Sequence, residues 1–391
     1  MLSFVFLLAA LSLCVWIVLA FFRGGFWLVR LYDDDAVVHP ALEVWSRVVA
    51  VLPARNEAET IARTVESLVK QEYAGEFRVV VVDDHSEDGT GELARKAAES
   101  AGVSDRVTIL AAAPLEPGWT GKLWAMQQGI ERAAEAGPEC FWFTDADIVH
   151  APDTLSRLVS RAEKEHTDLV SLMVLLKAKT FPEKLLIPPF LYFFLKLYPP
   201  GWIASAKSRM AGAAGGCVLL RHSALARIGG IAAIRQEVID DCALARAVKR
   251  SGGSLRMRLT RKSISLRSYS TFAEIRDLIA RTAYTQLHYS AMVLLGTVLG
   301  MLLTYVVPVV LAFHTQPLVW RTSLAAWALM IITYLPAVRF YRQSPLWAPL
   351  LPIAAAFYSY ATVLSAVRYW FGRGGQWKGR VQAPAKASFR S

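Results

Sequence analysis

The first 22 residues form an apolar run without a charged side chain. An α-helix of this length crosses a hydrocarbon core of about 30 Å, because each residue adds about 1.5 Å. Arg23 and Arg30 follow the run, whereas the positive charges of a signal peptide precede its apolar stretch. The pattern therefore predicts a retained N-terminal transmembrane anchor over residues 1–23.

Short β-branched runs alternate with amphipathic stretches from Arg47 to Val174. Apolar strands separated by helices indicate a mostly parallel sheet with helices on both faces. The sequence predicts such an α/β domain over residues 45–285, including a later helix from about Glu237 to Arg250. The predicted strands are RVVAVLP, RVVVVDD, VTIL, FWFTDAD and DLVSLMVLL. Ligands of such sheets lie at the carboxyl ends of the strands.

Residues 180–206 are apolar, aromatic and interrupted by prolines. Internal prolines disfavour a straight spanning helix, so this segment is predicted to lie in the membrane interface or to be a packed insertion in the domain. Three long apolar stretches follow near 287–313, 322–338 and 346–367, and they predict a C-terminal transmembrane region over 286–370.

The basic residues beside these stretches give conflicting orientations. Arg339 and Arg342 mark the second gap as cytosolic, and the basic residues from Arg368 onward mark a basic tail, 371–391, as cytosolic too. Three single crossings cannot satisfy both. Either the last stretch is a hairpin or an interfacial segment, which Pro349 and Pro352 favour, or the positive-inside rule fails for the tail; the hairpin is the expectation.

Charge and cysteine content narrow the function classes. After Asp277 the chain has ten Lys and Arg residues and no acid, out of a net charge of +11. Basic loops of this kind suit anionic lipid, whereas a nucleic-acid partner would require the charge on the folded domain. The four cysteines form no CxxC motif or Cys/His cluster, which argues against disulfides and structural zinc.

Two strand ends carry acidic residues that suit a diphosphate ligand with its cation. Asp145 and Asp147 follow FWFT, and their spacing places both carboxylates on one side of an extended segment. Hard cations prefer carboxylate ligands and neutralise phosphate charge. The structural alternative is an acidic turn that caps the helix near Pro152.

Other polar residues fall at neighbouring strand ends. Asp83 and Asp84 end RVVVVDD and can accept a hydrogen bond from a nucleobase N–H, although an Asx turn is the alternative in this segment. The backbone from Pro53 through Ala54 to Glu57 can line the same base and ribose pocket. Lys122, at a helix start, can meet phosphate charge, or it can be a solvated surface lysine.

The segments PARNEAETI, VVVDDHSEDGT, GKLWAMQQGI and FWFTDADIV, in this order, resemble the donor half of family 2 glycosyltransferases over about residues 47–260. The resemblance implies a GT-A fold, a nucleotide-sugar donor, inversion at the anomeric carbon, and Mg²⁺ or Mn²⁺. It places the nucleoside at Glu57 and Asp84, and the ribose, metal and diphosphate at Asp145 and Asp147.

The family's acceptor half has an acidic pair at a helix start, which Val238–Leu244 resembles. An inverting transferase needs a carboxylate to take the proton of the acceptor hydroxyl, and Asp241 is the predicted base, with Asp240 second. Acids at a helix start also complement the helix dipole. Arg281 keeps the arginine of the processive Q/R-x-x-R-W motif and is predicted to meet the diphosphate. Leu278 and Thr282 depart from that motif, which argues against processive polymerisation.

The layout resembles the ceramide glucosyltransferase and hopanoid-associated branch. We therefore expect transfer of one sugar, most simply from a UDP-sugar, to a lipid acceptor. The protein is expected in the inner membrane of a bacterium, with its catalytic domain cytosolic. A processive polysaccharide synthase and a non-catalytic membrane scaffold that retains the fold are the alternatives.

Overall fold

The computed structural model describes residues 2–29, 42–377 and 380–381. Most of the predicted basic tail, 371–391, lies outside these residues. Eight strands form one mixed sheet, in the order β3-β2-β1-β4-β7-β6-β8-β5. They are β1 (Val48–Ala54), β2 (Phe77–Asp83), β3 (Val107–Ala111), β4 (Cys140–Thr144), β5 (Ile148–His150), β6 (Leu169–Leu175), β7 (Cys217–Arg221) and β8 (Leu255–Ser265). The short pair β9 (Gln376–Trp377) and β10 (Arg380–Val381) forms a separate hairpin.

The helices fall into a group around the sheet and a group of apolar segments at the two chain ends. Around the sheet lie α2 (Ile61–Val69), α3 (Thr90–Ser100), α4 (Gly121–Ala134), α5 (Thr154–Lys164), α6 (Phe181–Leu197), α7 (Pro200–Ala204), α8 (His222–Arg227), α9 (Asp240–Arg250), α10 (Phe272–Ala280) and α11 (Ala283–Gln286). The apolar segments are α1 (Leu2–Ile17), α12 (Ala291–Met301), α13 (Val307–Leu311), α14 (Pro317–Phe340) and α15 (Leu351–Trp370).

The α/β fold predicted from the alternating pattern is confirmed. β1 pairs in parallel with β2 and β4, and β2 pairs in parallel with β3. β7 pairs antiparallel with β4 and β6, an arrangement that the sequence did not indicate. Along β1, Val49 and Val51 enter one apolar cluster, and Val48, Ala50 and Leu52 enter another. Both faces of the sheet are therefore covered, as alternation along a buried strand requires.

Four segments of the described chain are long and apolar enough to cross a membrane: Phe4–Phe22, Ala291–Leu311, Pro317–Phe340 and Pro345–Trp370. The last contains the continuous helix α15, so the predicted hairpin in this stretch is wrong. Pro349 lies in the short 3-10 helix before α15, and Pro352 lies in the first turn of α15. A first-turn proline breaks no helical hydrogen bond, because its missing N–H would have no partner within the helix.

Residues 181–197 form a regular helix, α6, although Pro188 and Pro189 lie inside it. Thr180 and Glu183 form a capping box at its start, which satisfies backbone N–H groups that a helix leaves unpaired. Tyr192 of α6 shares a 2.9 Å hydrogen bond with Thr333 of α14. The helix thus joins the α/β unit to the apolar segments.

Candidate active site

A cleft of about 290 Å³ opens at the carboxyl ends of β1 and β4. Most of the site residues predicted from the sequence lie in this cleft, although they are far apart along the chain. Those that line it are Pro53, Glu57, Lys122, Asp145, Asp147, Asp240, Asp241 and Arg281. Ala54, Asp83 and Asp84 are not among the lining residues.

The segment carrying Asp145 and Asp147 is held by a buried hydrogen-bond chain. The Thr144 hydroxyl lies 2.8 Å from His150 Nε2, and His150 Nδ1 lies 2.9 Å from the Ser263 hydroxyl. Burial lowers the pKa of His150 to about 3. The imidazole is therefore neutral at pH 7, and it positions the acidic segment against β8.

Lys122 bridges the two acidic motifs. Its Nζ lies 2.9 Å from Asp145 Oδ1 and 3.0 Å from Asp240 Oδ2. Burial alone would raise the pKa of Asp145, but the charge and hydrogen bond of Lys122, with Arg281 and Arg267 nearby, outweigh burial and lower that pKa. Asp145 is therefore ionised at pH 7, as a metal ligand must be.

A second cation, Arg267, lies on the other side of the cleft. Its Nη2 lies 2.7 Å from Glu57 Oε1, and its Nε lies 3.6 Å from Asp147 Oδ2. The Ser265 hydroxyl donates to Asp147 at 2.8 Å. Burial, followed by the charge of Asp145, raises the pKa of Asp147. A cation beside both carboxylates would favour the ionised form.

Asp241 is the second residue of helix α9 and lines the same cleft. It accepts hydrogen bonds from the Gly215 N–H at 2.8 Å and from its neighbour Cys242 N–H at 2.6 Å. A Cβ at position 215 would lie only 3.3 Å from the Asp241 carboxylate, so glycine lets the loop approach. Burial and the neighbouring charge of Asp240 raise the pKa of Asp241 to about 6. A carboxyl with this pKa suits proton abstraction near neutral pH.

The acids at the end of β2 take part in loop structure. Asp83 accepts a hydrogen bond from the Ser86 N–H at 3.1 Å, and its Oδ2 would lie 2.5 Å from a Cβ at Gly91. Asp84 is buried, and its carboxylate lies 3.2 Å from the His85 ring and 3.8 Å from Arg55. Arg55 itself lines the cleft, so Asp84 faces the cleft through this arginine.

Several lining residues were missed by the sequence analysis: Arg267, Tyr269, Phe190 and Phe194. No local motif marks them. Arg267 and Tyr269 lie in the segment after β8, and Phe190 and Phe194 lie on α6. Buried Glu183 connects these two parts, since it accepts hydrogen bonds from the Ser268 hydroxyl and the Tyr269 N–H. The sequence offers only a general indication of Arg267: acids that cluster, such as Glu57 and Asp147, require a cation nearby.

The chemistry of the cleft fits a divalent cation that has few protein ligands. Within the described residues, no group of three or more His, Cys, Asp or Glu side chains is placed to hold a metal ion. Mg²⁺ typically binds one or two carboxylates, keeps water ligands and takes further oxygens from a substrate phosphate. Asp145 and Asp147 match that requirement, and the nearby Lys122, Arg267 and Arg281 supply positive charge for a diphosphate.

The mixed eight-stranded sheet with its acidic strand ends defines a GT-A type α/β fold. Residues 49–229 match the family described as "Glycosyl transferase family 2". A solved mannosyltransferase from Pyrobaculum calidifontis, in complex with GDP-Man and Mn²⁺, shares the fold, with a TM-score of 0.54. That similarity covers 94% of this chain and 99% of the other at 17% identity.

Two curated proteins are similar over part of the sequence. Glycosyltransferase AglE of Haloferax volcanii is 32% identical over 124 residues, which are 32% of this chain and 38% of that protein. Polyprenol monophosphomannose synthase of Mycolicibacterium smegmatis is 30% identical over 135 residues, which are 34% of this chain and 45% of that protein. The chain thus matches less than half the length of either relative.

Proposed function

We propose that the protein transfers a sugar from a nucleotide-diphosphate donor to a lipid acceptor at a membrane surface. The observation that carries the proposal is the meeting of two acidic pairs in one cleft, Asp145 with Asp147 and Asp240 with Asp241, joined by Lys122. One pair suits a cation and diphosphate, and the other suits an acceptor. A scaffold without activity would not require this arrangement.

On this proposal the donor half is built around the leaving group. Asp145 and Asp147 would hold Mg²⁺ or Mn²⁺, which supplies Lewis-acid stabilisation of the departing diphosphate. Arg281 and Arg267, which together with Lys122 act to lower the pKa of Asp145, would add positive charge for the diphosphate. Pro53 and Glu57 would line the nucleoside pocket, with Arg55 between Asp84 and the cleft.

Asp241 would act as the base on the acceptor side. A hydroxyl nucleophile must lose its proton as it attacks, and a half-buried carboxyl with a pKa of about 6 can accept it. A lipid phosphate needs no such base, because it is already ionised near neutral pH. The Asp241 environment therefore favours an acceptor hydroxyl. A hopanoid-related lipid is one acceptor to test, on the strength of the branch resemblance.

The site is proposed to face the cytosol of a bacterial cell, where nucleotide sugars are made. The basic residues that follow the N-terminal apolar run support this orientation, since Arg23 ends it.

Purified protein in lipid vesicles provides the test. It is incubated with a panel that includes UDP-glucose and GDP-mannose, each with Mn²⁺ or with EDTA, and with a hydroxylated lipid or a polyprenyl phosphate. We expect nucleotide release and a glycosylated hydroxy-lipid only with the metal. Product formed solely on polyprenyl phosphate would overturn the acceptor assignment, and absence of any transfer across the panel would contradict the enzymatic proposal.

A further inference from the structure

The cleft is lined by apolar side chains as well as by the acids. Phe190 and Phe194, four residues apart on α6, line it beside Leu176. Residues four apart on a helix lie on the same face, so the two rings form a continuous apolar row. The sugar and diphosphate of the donor are polar and would not bury such a row, and the nucleobase, which can stack on aromatic rings, is proposed to lie beside Pro53 and Glu57.

The adjacent side of α6 contacts the apolar helices. Phe193 lies 5.7 Å, ring to ring, from Tyr305 and 4.9 Å from Tyr358. Tyr305 and Tyr358 lie within two of the candidate membrane spans. Helix α6 therefore lies between the cleft and the apolar segments.

The apolar row leads to the proposed base. The ring of Phe194 lies 5.2 Å from that of Tyr198, whose ring lies against Gly212. A Cβ at position 212 would lie 2.7 Å from the Tyr198 ring. The loop continues to Gly215, which donates to Asp241. An apolar molecule on this row would thus have its end beside the Asp241 carboxylate.

We propose that Phe190 and Phe194 form a subsite for the apolar body of the acceptor lipid and direct its hydroxyl toward Asp241. This inference rests on the proposed transferase function and goes further, since it assigns the acceptor half to α6. The rings bind by excluding water from hydrocarbon, and loss of a buried aromatic side chain removes a large part of that contribution.

The test compares Phe194→Ala and Phe194→Leu with Phe181→Ala. Phe181 lies at the start of the same helix, is 60% exposed and contacts Phe272 and Trp347. We expect Phe194→Ala to raise the KM for the lipid acceptor by about tenfold or more, with the KM for the nucleotide sugar changed less than about twofold. Phe194→Leu, which keeps an apolar side chain, should restore most of the lipid affinity, and Phe181→Ala should resemble the wild type.

The failures of the two proposals can be told apart. An unchanged lipid KM in Phe194→Ala, with transfer intact, overturns the subsite and leaves the transferase function standing. A parallel rise in both KM values, not reversed by Phe194→Leu, also overturns it, because that result indicates general damage to the cleft. If the wild type transfers no sugar to any lipid, both proposals fall together.

A second inference concerns α15 and rests on different contacts. The chain enters this region beside the sheet, because Arg261 of β8 donates to the Phe340 carbonyl at 2.9 Å. It leaves beside the sheet too, since Arg373 and Gly375 line a groove of about 1220 Å³ together with residues 56–60, which follow β1. Both ends of the stretch from 340 to 375 therefore lie on the side of the catalytic cleft.

Contacts along α15 agree with this. Phe357 lies 6.0 Å, ring to ring, from Phe272, and the Ser365 hydroxyl donates to the Ala280 carbonyl at 2.5 Å. Arg368 lies 2.7 Å from Asp277. Phe272, Asp277 and Ala280 all belong to α10, so the part of α15 from Phe357 to Arg368 lies beside this charged helix. A helix of about 30 Å that crossed a bilayer would carry one end away from the unit.

We infer that α15 lies along the catalytic unit without crossing the membrane, so that the described part of the chain crosses three times. Its exposed side chains, among them Ile353, Tyr360 and Trp370, then face the interfacial layer, where aromatic residues are favoured. This arrangement places Arg339, Arg342 and the basic tail on one side, which resolves the conflict between the basic regions.

This topology can be tested by introducing single cysteines into the Cys14→Ser variant and labelling them with a membrane-impermeant thiol reagent. We expect Glu99→Cys in α3 and a cysteine appended after Ser391 to behave alike, protected in intact cells and labelled after permeabilisation. Thr315→Cys, in the exposed turn between α13 and α14, should show the opposite pattern. Opposite behaviour of the Glu99 and C-terminal cysteines would overturn the inference.

Discussion

The ammonium of Lys122 lies 2.9 Å from the Asp145 carboxylate, and it reaches Asp240 with the same nitrogen. Removing this charge leaves two partly buried carboxylates without their shared partner. We expect Lys122→Gln to lower the free energy of unfolding by about 1–2 kcal/mol in metal-free buffer, between the values for exposed and for buried ion pairs. Added Mn²⁺ should recover part of the loss, because a divalent cation can replace the missing charge.

Thermal unfolding with and without Mn²⁺ measures this effect. Lys96→Gln is the matched control, because its exposed pair with Glu92, 3.7 Å long, is expected to contribute less than about 1 kcal/mol. A Mn²⁺-induced shift in Lys122→Gln no larger than that in the wild type would contradict the prediction.

Chelation should abolish nucleotide release, since two carboxylates beside a diphosphate repel it unless a cation lies between them. Asp147→Asn should weaken Mn²⁺ activation by about tenfold or more, in the range seen when metal-site groups are altered. The measurement is nucleotide release titrated with Mn²⁺, with Asp88→Asn as a control at a loop acid that hydrogen-bonds Thr90. Full activity in excess EDTA would contradict the proposed role of the metal.

Asp241→Asn should lower kcat by about 10²- to 10⁴-fold with donor affinity near that of the wild type. The base must be ionised to accept a proton, so a pKa of about 6 predicts a kcat that is full above that pH. Below it, kcat should fall about tenfold per pH unit. A pH profile of transfer checks this, and Asp241→Asn should lose that limb. If the variant keeps more than about a tenth of the wild-type rate, Asp240 becomes the candidate.

Arg267 is expected to hold Glu57 and Asp147 in place for the donor. Arg267→Leu should raise the KM for the nucleotide sugar by about tenfold, the effect of losing about 1.4 kcal/mol of binding. Arg267→Lys should retain the positive charge and recover part of the donor affinity. It should not recover the paired contacts of the guanidinium. Initial rates against donor concentration measure this, and an unchanged KM in Arg267→Leu would exclude the role.

The sequence predicted the part of the site that follows from strand order. Asp145 and Asp147 end a buried strand, and parallel strands bring such ends together. Asp240 and Asp241 came from a motif at a helix start. Arg267 could not be found this way, because it follows β8 far along the chain and reaches Asp147 only through the pairing of β8 with β5.

The helix α6 shows a different limit of sequence reasoning. Pro188 and Pro189 disfavour a helix interior, yet the segment is helical from Phe181 to Leu197. The capping box at Thr180 and packing against α14 and α15 stabilise it in the folded chain. Long-range packing overrode local propensity here, and single-residue preferences carry no information about such partners.

The Tyr192 hydroxyl on α6 shares a hydrogen bond with Thr333 on α14, a helix long and apolar enough to cross a membrane. If α14 lies in a bilayer, a change in its tilt would reach the wall of the cleft through α6. Cooling, or a shift toward more rigid lipids, is thereby expected to alter turnover at constant substrate concentration. The fluidity of the host membrane would then affect the activity of the protein through helix α6.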